Sequence, residues 1–321
     1  MARSKLRLLG ASFGLIGIAG AAVAQDFPTR PVRMINPFQA GGGLDVAARL
    51  IQPIMSQKLG QQVVVESRAG AGGMVGAGAV AHSPPDGYTI LITTSGPVVN
   101  SLGAQINYDV KTAFQPISRV MTAPLLLVVA ETSPIKTVAD LIARGKDVSQ
   151  KTSYGHPGVG TATHFAAALF TSMTGANFVG VPYKGASPQA TDTIAGHVEF
   201  SFLSAPDAMS KLGRGLRALA VASLKRSPLV PEVPTIAEAG VPGYEFELWY
   251  GLFAPAGTPH PIVEKIRQSL LAALADEMVK SRFLELGMVP DPTTPEEFAA
   301  VVRIQAETDI KLAAVLGMKT N

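Results

Sequence analysis

Three turns carry the residue types best suited to holding a small anion. They are Phe38-Gln39-Ala40-Gly41-Gly42-Gly43-Leu44-Asp45, Thr93 to Pro97 with Thr94 and Ser95, and Ser153 to Thr161 with His156 and Gly158. Each is expected at the C-terminal end of a strand and leads into a helix. Glycine and hydroxyl residues there let backbone N–H groups converge. The positive end of a helix dipole favours negative charge, so a carboxylate can be held without a buried cation. Open α/β sheets gather their ligands along this edge. An ordinary glycine-bearing connection accounts for any one of these turns alone; three within two units point to anion binding.

Other chemistries are poorly served. His82, His156, His164, His197 and His260 show no H-x-x-x-H or H-E-x-x-H spacing, and no Cys exists to complete a zinc set, so no metal site is expected. Asp45, Asp192 and Asp207 would have to converge in space to make one, and their spacing does not require it. Gly10-Ala11-Ser12-Phe13-Gly14 has the G-x-S-x-G form of a hydrolase elbow but falls inside an N-terminal apolar run, away from any strand-to-helix turn. Gly76-Ala77-Gly78-Ala79-Val80-Ala81 fits a dinucleotide fingerprint, yet Ala- and Gly-rich sequence produces this pattern readily. Close helix packing is the expectation there, and no cofactor.

The elements that must position the turns follow from periodicity. Val32 to Phe38 reads as a strand, and apolar residues at 44, 47, 50, 51, 54 and 55 give a helix stopped by Gly60. Val63-Val64-Val65 and Tyr88 to Thr93 supply further strands, the second after a Pro84-Pro85-Asp86-Gly87 turn. The middle repeats the theme with strand Leu125 to Val129, a helix opened by Thr137 and Asp140 as a capping box, and a helix closed by Gly175. A helix from Ser187-Pro188 and strands Val198 to Leu203 and Arg217 to Ala222 follow. The last third holds the aromatic strand Phe246 to Phe253, a helix from Pro261, and a long helix capped by Thr294 and Glu297. The β-α-β alternation implies a mainly parallel sheet in each of two α/β units.

Composition agrees. The 321 residues are 47% hydrophobic and 16% charged, which excludes a disordered chain and a long coiled coil. The net charge of +3 resides in Arg3, Lys5 and Arg7; without residues 1–24 the chain has 24 basic and 24 acidic residues, which argues against nucleic acid as a partner. Those first residues read as a secretory signal, with a cationic start, an apolar run from Leu8 to Val23 and Ala22-Val23-Ala24 as the cleavage site.

Taken in order, the motifs resemble the periplasmic substrate-binding receptors of tripartite tricarboxylate transporters, the Bug/TctC family. The matching residues are Pro37 to Asp45, Val64-Val65-Glu66-Ser67-Arg68, Gly70-Ala71-Gly72-Gly73, Pro85-Asp86-Gly87-Tyr88-Thr89, Val181-Pro182-Tyr183-Lys184-Gly185, Arg217 to Val221, Val233-Pro234-Thr235, Trp249 with Gly251, and Ala254 to Pro259. The resemblance implies a type II periplasmic binding protein, with two α/β lobes joined by two crossover strands. Residues 25–122 and 250–321 would form one lobe and 123–249 the other, after a signal peptide at 1–24. It also implies a monomer that binds a small carboxylate or dicarboxylate solute through backbone amides and hydroxyls and delivers it to a two-subunit integral membrane permease.

Carried onto matching positions, the ligand contacts would be Phe38, Gln39, Ala40, Gly41, Gly42, Thr94 and Ser95 from the first lobe. Ser153, His156, Gly158, Thr161, Tyr183, Gly185 and Asp207 would come from the second. The family commonly has Ser where His156 stands and Glu where Ala168 stands, which suggests that His156 touches the solute; a place at the lobe surface is the alternative. Lys184 is expected to point to water, and Trp249 and Tyr250 to pack at the hinge. A secreted α/β hydrolase, with Ser or Thr beside His156 or His164, and an orphan receptor that signals to a sensor are the competing readings.

Overall fold

The computed structural model describes residues 27–99 and 106–315; the expected signal peptide lies outside them. In the first lobe, β1 (Val32–Asn36), α1 (Gly43–Leu59), β2 (Val63–Ser67), α2 (Met74–Ala81), β3 (Thr89–Thr93) and α3 (Gly96–Val99) follow one another. Strand β4 (Phe114–Ala123) then leads through Pro124 into β5 (Leu125–Ala130) of the second lobe. That lobe continues with α4 (Val138–Lys146), β6 (Thr152–His156), α5 (Ala162–Thr174), β7 (Phe178–Pro182), α6 (Ala186–Ile194), β8 (Phe200–Ser204), α7 (Ala205–Ala208) and β9 (Leu216–Val221). The chain returns through β10 (Leu248–Pro255) and ends with α8 (His260–Ala275), α9 (Glu277–Glu285), β11 (Val289–Pro290) and α10 (Pro295–Val315).

Local chemistry explains the boundaries. Gly60 (φ 73°) and Gly175 (φ 62°) stop α1 and α5 in the left-handed conformation that L side chains resist. Thr137 and Asp140 exchange the two hydrogen bonds of a capping box at α4, and Thr294 and Glu297 do the same at α10. The dinucleotide-like glycines pack a helix closely: a Cβ on Gly76 would lie 2.7 Å from Pro37 Cα.

The two sheets run β11-β4-β10-β3-β1-β2 and β7-β6-β8-β5-β9. Both are mixed, where the alternation of elements implied mainly parallel pairing. Strands β1, β2 and β3 are parallel, but β10 is antiparallel to both β3 and β4, and β5 is antiparallel to β8 and β9. The reason lies in the route of the chain. Strand β4 leaves the first lobe and β10 re-enters it, so neighbours in one sheet must point opposite ways.

A buried cluster of Met34, Ile51, Ile90, Leu127, Phe165, Phe170, Phe200, Tyr244 and Leu252 runs from one lobe into the other. Trp249, Phe253 and Phe298 fill a second cluster behind the first sheet, where α10 packs on β4 and also reaches α5. Each such side chain contributes roughly 1.5–3 kcal/mol by leaving water.

The lobes meet backbone to backbone. A Cβ on Gly158 would stand 2.3 Å from Gly72 Cα, and one on Gly96 would stand 2.5 Å from the Gly160 carbonyl oxygen. All three nearest atoms to the Gly96 position belong to the opposite lobe. Gly96→Ala is therefore expected to leave each lobe folded but to hold the lobes apart. Small-angle scattering should show a larger radius of gyration than for the parent; an unchanged radius would mean that the contact does not govern closure.

Candidate functional site

A cavity of about 60 Å³ lies in the gap between the lobes. The first lobe lines it with Phe38, Gln39, Gly42, Gly43, Leu44 and Thr94. Pro157, Thr161, Ala162, Thr163, Ala186 and Gln189 face them from the second lobe, as do Phe202, Leu203, Ser204 and Asp207. Leu248 and Tyr250, on the returning strand β10, complete the wall.

Three helices begin at this cavity: α1 after Gly42, α5 after Thr161 and α6 after Gly185. The first N–H groups of a helix have no partner within it. None of these three N-caps supplies a side-chain hydrogen bond. Thr161 could do so, but its hydroxyl donates to the Gly158 carbonyl at 2.7 Å. Away from the cavity, α4, α9 and α10 are closed by Thr137, Asp276 and Thr294. The helix ends at the cleft are thus donor sites of positive potential directed at one small space, where an anion is favoured.

One of them is met from across the gap. The Gly43 N–H in the first turn of α1 donates to Asp207 Oδ1 at 2.6 Å, and the Ser204 hydroxyl donates to Asp207 Oδ2. Burial is the largest influence on Asp207 and raises its pKa above the ordinary value, while Ser204, Gly43 and Lys211 oppose the shift. The cavity therefore holds an acidic acceptor beside its donors.

The entry loop is shaped from behind. Asp45, 4% exposed, accepts from the Gly41 N–H at 3.1 Å, from Arg49 Nε at 2.8 Å and from Asn36 Nδ2 at 3.4 Å, while Asn36 Oδ1 accepts from the Phe38 N–H at 3.0 Å. Burial works against the Asp45 charge, but these partners outweigh it and its pKa lies below the ordinary value. Two of the N–H groups expected to reach a ligand, those of Phe38 and Gly41, are therefore committed inside the loop.

Of the anticipated contacts, Phe38, Gln39, Gly42, Thr94, Thr161 and Asp207 line the cavity. Gly158 and Gly185 lie at the seam: a Cβ on Gly185 would come within 3.3 Å of the Gln39 nitrogen. Ala40 is exposed, and Ser95, though buried, is outside the lining. Ser153 is elsewhere. It sits at the far end of β6, where its N–H and hydroxyl both donate to Glu199 Oε2 at 2.7 Å. The Tyr183 hydroxyl donates to Asp192 at 2.8 Å, away from the lining. Lys184 is exposed, as expected. Tyr250 differs from expectation by lining the cavity, while Trp249 packs on Phe298.

His156 is neither at the surface nor part of the lining. It is 2% exposed beneath the 157–161 turn, with its ring stacked on His164 at 4.2 Å. The Gly158 N–H donates to His156 Nδ1 at 3.3 Å and the Gly160 N–H to His164 Nδ1 at 3.2 Å. An imidazole nitrogen that accepts carries no proton, so the geometry fixes both rings with the proton on Nε2. The pair supports the turn from below.

Sequence reasoning missed Thr163, Gln189, Ser204 and Tyr250. The signal for Gln189 was present, since positions 189, 190 and 193 form the buried face of α6, and a glutamine on such a face requires polar partners. Among the described residues, no group of three His, Asp or Glu side chains is placed to hold a metal ion, and no helix is long and apolar enough to cross a membrane.

Comparison with known proteins places this geometry in context. Residues 47–309 match the family described as tripartite tricarboxylate transporter family receptor. BugT of Bordetella pertussis is 36% identical over 296 residues, covering 91% of each chain. Rpa4515 of R. palustris, solved with adipate, superposes with a TM-score of 0.86 at 35% identity over 91% of this chain and 99% of that one. MatC of Rhodopseudomonas palustris with bound malate gives 0.85 at 31% identity over 89% and 99%. The periplasmic binding protein BugD gives 0.86 at 34% identity over 92% and 100%. The fold is that of a type II periplasmic binding protein.

The histidine pair has a consequence for stability. Burial lowers the pKa of His156 from 6.5 to about 4, and burial together with His156 lowers that of His164 to about 3. Between roughly pH 4 and 6.5 the unfolded chain then binds more protons than the folded one, so stability present at neutral pH is lost as pH falls. Each ring costs roughly 1.4 kcal/mol per pH unit in that window. Urea midpoints should drop between pH 6.5 and pH 4.5, and His156→Gln should show a shallower drop. Equal slopes for parent and variant would contradict the assignment.

Proposed function

The chain belongs to the tripartite tricarboxylate transporter receptor family, and from that premise we propose that it is a periplasmic solute receptor. In this reading it closes its lobes on a small organic carboxylate or dicarboxylate and presents the closed form to a two-subunit membrane permease. The observation that carries the proposal is the meeting of three helix N-termini, without side-chain caps of their own, in one inter-lobe cavity. A carboxylate there gains N–H donors from both lobes only when the lobes are together, which couples binding to closure. The adipate and malate complexes of Rpa4515 and MatC support the same ligand class.

Catalysis is not part of the proposal. Hydrolysis needs a nucleophile activated by a base. Here the Nδ1 atoms of His156 and His164 accept backbone N–H groups, and the Ser153 hydroxyl is bound to Glu199.

Two outcomes are expected for the purified protein. At about 100 times its Kd, a cognate carboxylate should add roughly 2.7 kcal/mol to stability and raise the thermal midpoint. Because the cavity lining includes no Lys or Arg, affinity should change by less than about threefold between low and high salt. Calorimetric titration at two NaCl concentrations checks this; a steep loss of affinity would mean that a cationic field, not short-range N–H donors, holds the ligand.

A further inference from the structure

The cleft contains a buried polar group whose hydrogen-bonding role is fixed by its neighbours. Gln189 is fully buried and lines the cavity. Its Nε2 donates to the Gly155 carbonyl at 2.9 Å and to the Phe202 carbonyl at 3.1 Å. Two carbonyl oxygens can be met only by the NH2 end of an amide, so the orientation of the head group is settled and both of its hydrogens are committed. The remaining atom, Oε1, is buried and finds no partner in the protein. It can act only as an acceptor. A second cavity-lining residue, Thr163, also has a buried hydroxyl oxygen without a partner in the protein. The Asp207 carboxylate adds acceptor capacity, since Gly43 and Ser204 take two of its roughly four lone-pair sites.

The cavity is therefore two-sided. Helix N-termini offer donors for a carboxylate, whereas Gln189 and Asp207 offer acceptors that a plain alkyl acid cannot satisfy. We infer that Gln189 is a specificity-determining residue, and that the cognate solute is a carboxylate bearing a hydrogen-bond donor, such as a hydroxyl, amide or amine, which Gln189 Oε1 receives. This inference rests on the receptor reading and narrows it. A ligand without the donor leaves a buried acceptor unpaired, and sites built to bind a hydroxyl or N–H reject analogues that lack it.

The test uses matched acids that differ by one donor: malate against succinate, 2-hydroxyglutarate against glutarate, and adipamate against monomethyl adipate. Calorimetric titration of the unaltered protein should show the donor-bearing member of at least one pair binding about 10- to 100-fold more tightly. Gln189→Met should erase that ratio by weakening the donor-bearing member selectively. General loosening from the loss of the Gly155 and Phe202 hydrogen bonds would weaken both members alike, so the ratio isolates direct contact. If the variant does not fold, Gln189→Leu takes its place, and a donor preference that survives the substitution assigns the contact to Asp207 or Thr163 and overturns the inference. Equal affinities within every pair, as when a water satisfies Oε1, overturn the inference and leave the receptor reading standing. Binding by none of these acids, with no rise in thermal midpoint from a wider carboxylate panel, overturns both.

Discussion

The structure depends on where unpaired backbone donors are allowed to remain. A buried N–H without a partner is costly, and helix N-termini concentrate such groups. At α4, α9 and α10, threonine or aspartate caps close them within a few residues. At the cleft, glycine or an otherwise engaged threonine stands at the cap position, which leaves the donors to water, to the opposite lobe or to a ligand. Water can meet these donors while the lobes are apart, and a carboxylate between the lobes can meet them when closure excludes water. The protein supplies one such carboxylate itself, Asp207, to the first turn of α1.

Everything else in the fold serves the geometry of that gap. Two antiparallel strands, β4 and β10, link the lobes, so one lobe can rotate against the other while each sheet keeps its ladder. Glycines at 72, 96 and 158 remove the side chains that would keep the two backbones apart. The Asn36 and Asp45 network shapes the first-lobe loop from behind, and the stacked histidines shape the second-lobe turn. Both supports lie outside the cavity lining and hold its main chain in place.

Much of this was legible in the sequence because it is local. The glycine stops at 60 and 175, the capping boxes at 137 and 294, and two of the three expected turns that open helices at the cavity, before α1 and α5, each depend on residues a few positions apart. The third helix end there, α6 after Gly185, stands where no such turn was expected. What escaped depends on contacts distant in sequence. Ser153 belongs to the same hydroxyl-rich segment as His156, yet three residues of strand separate them by about 10 Å and place the serine at the wrong end of β6. His156 has its meaning from His164, one helix turn beyond the loop. Gln189 has its meaning from carbonyls of two strands that periodicity cannot bring together. Mixed pairing was missed for a similar reason: element order does not reveal that the chain leaves a sheet and returns to it in the opposite direction.

The Asp207 contact also bears on how closure is driven. A ligand shifts an equilibrium between open and closed lobes only by the difference in its affinity for the two. Because Asp207 already joins Gly43 across the gap, one inter-lobe hydrogen bond of the closed arrangement is made by the protein itself and lowers the differential affinity that a solute would have to supply. The same contact limits what the solute can gain. The α1 N-terminus is partly satisfied, so the larger increment must come from the ends of α5 and α6 and from the acceptors beside them. On the proposed reading, recognition would then fall mainly to the second lobe. The first lobe contributes closure and the apolar wall of Phe38 and Leu44, a division that follows from which helix ends the protein caps with its own carboxylate.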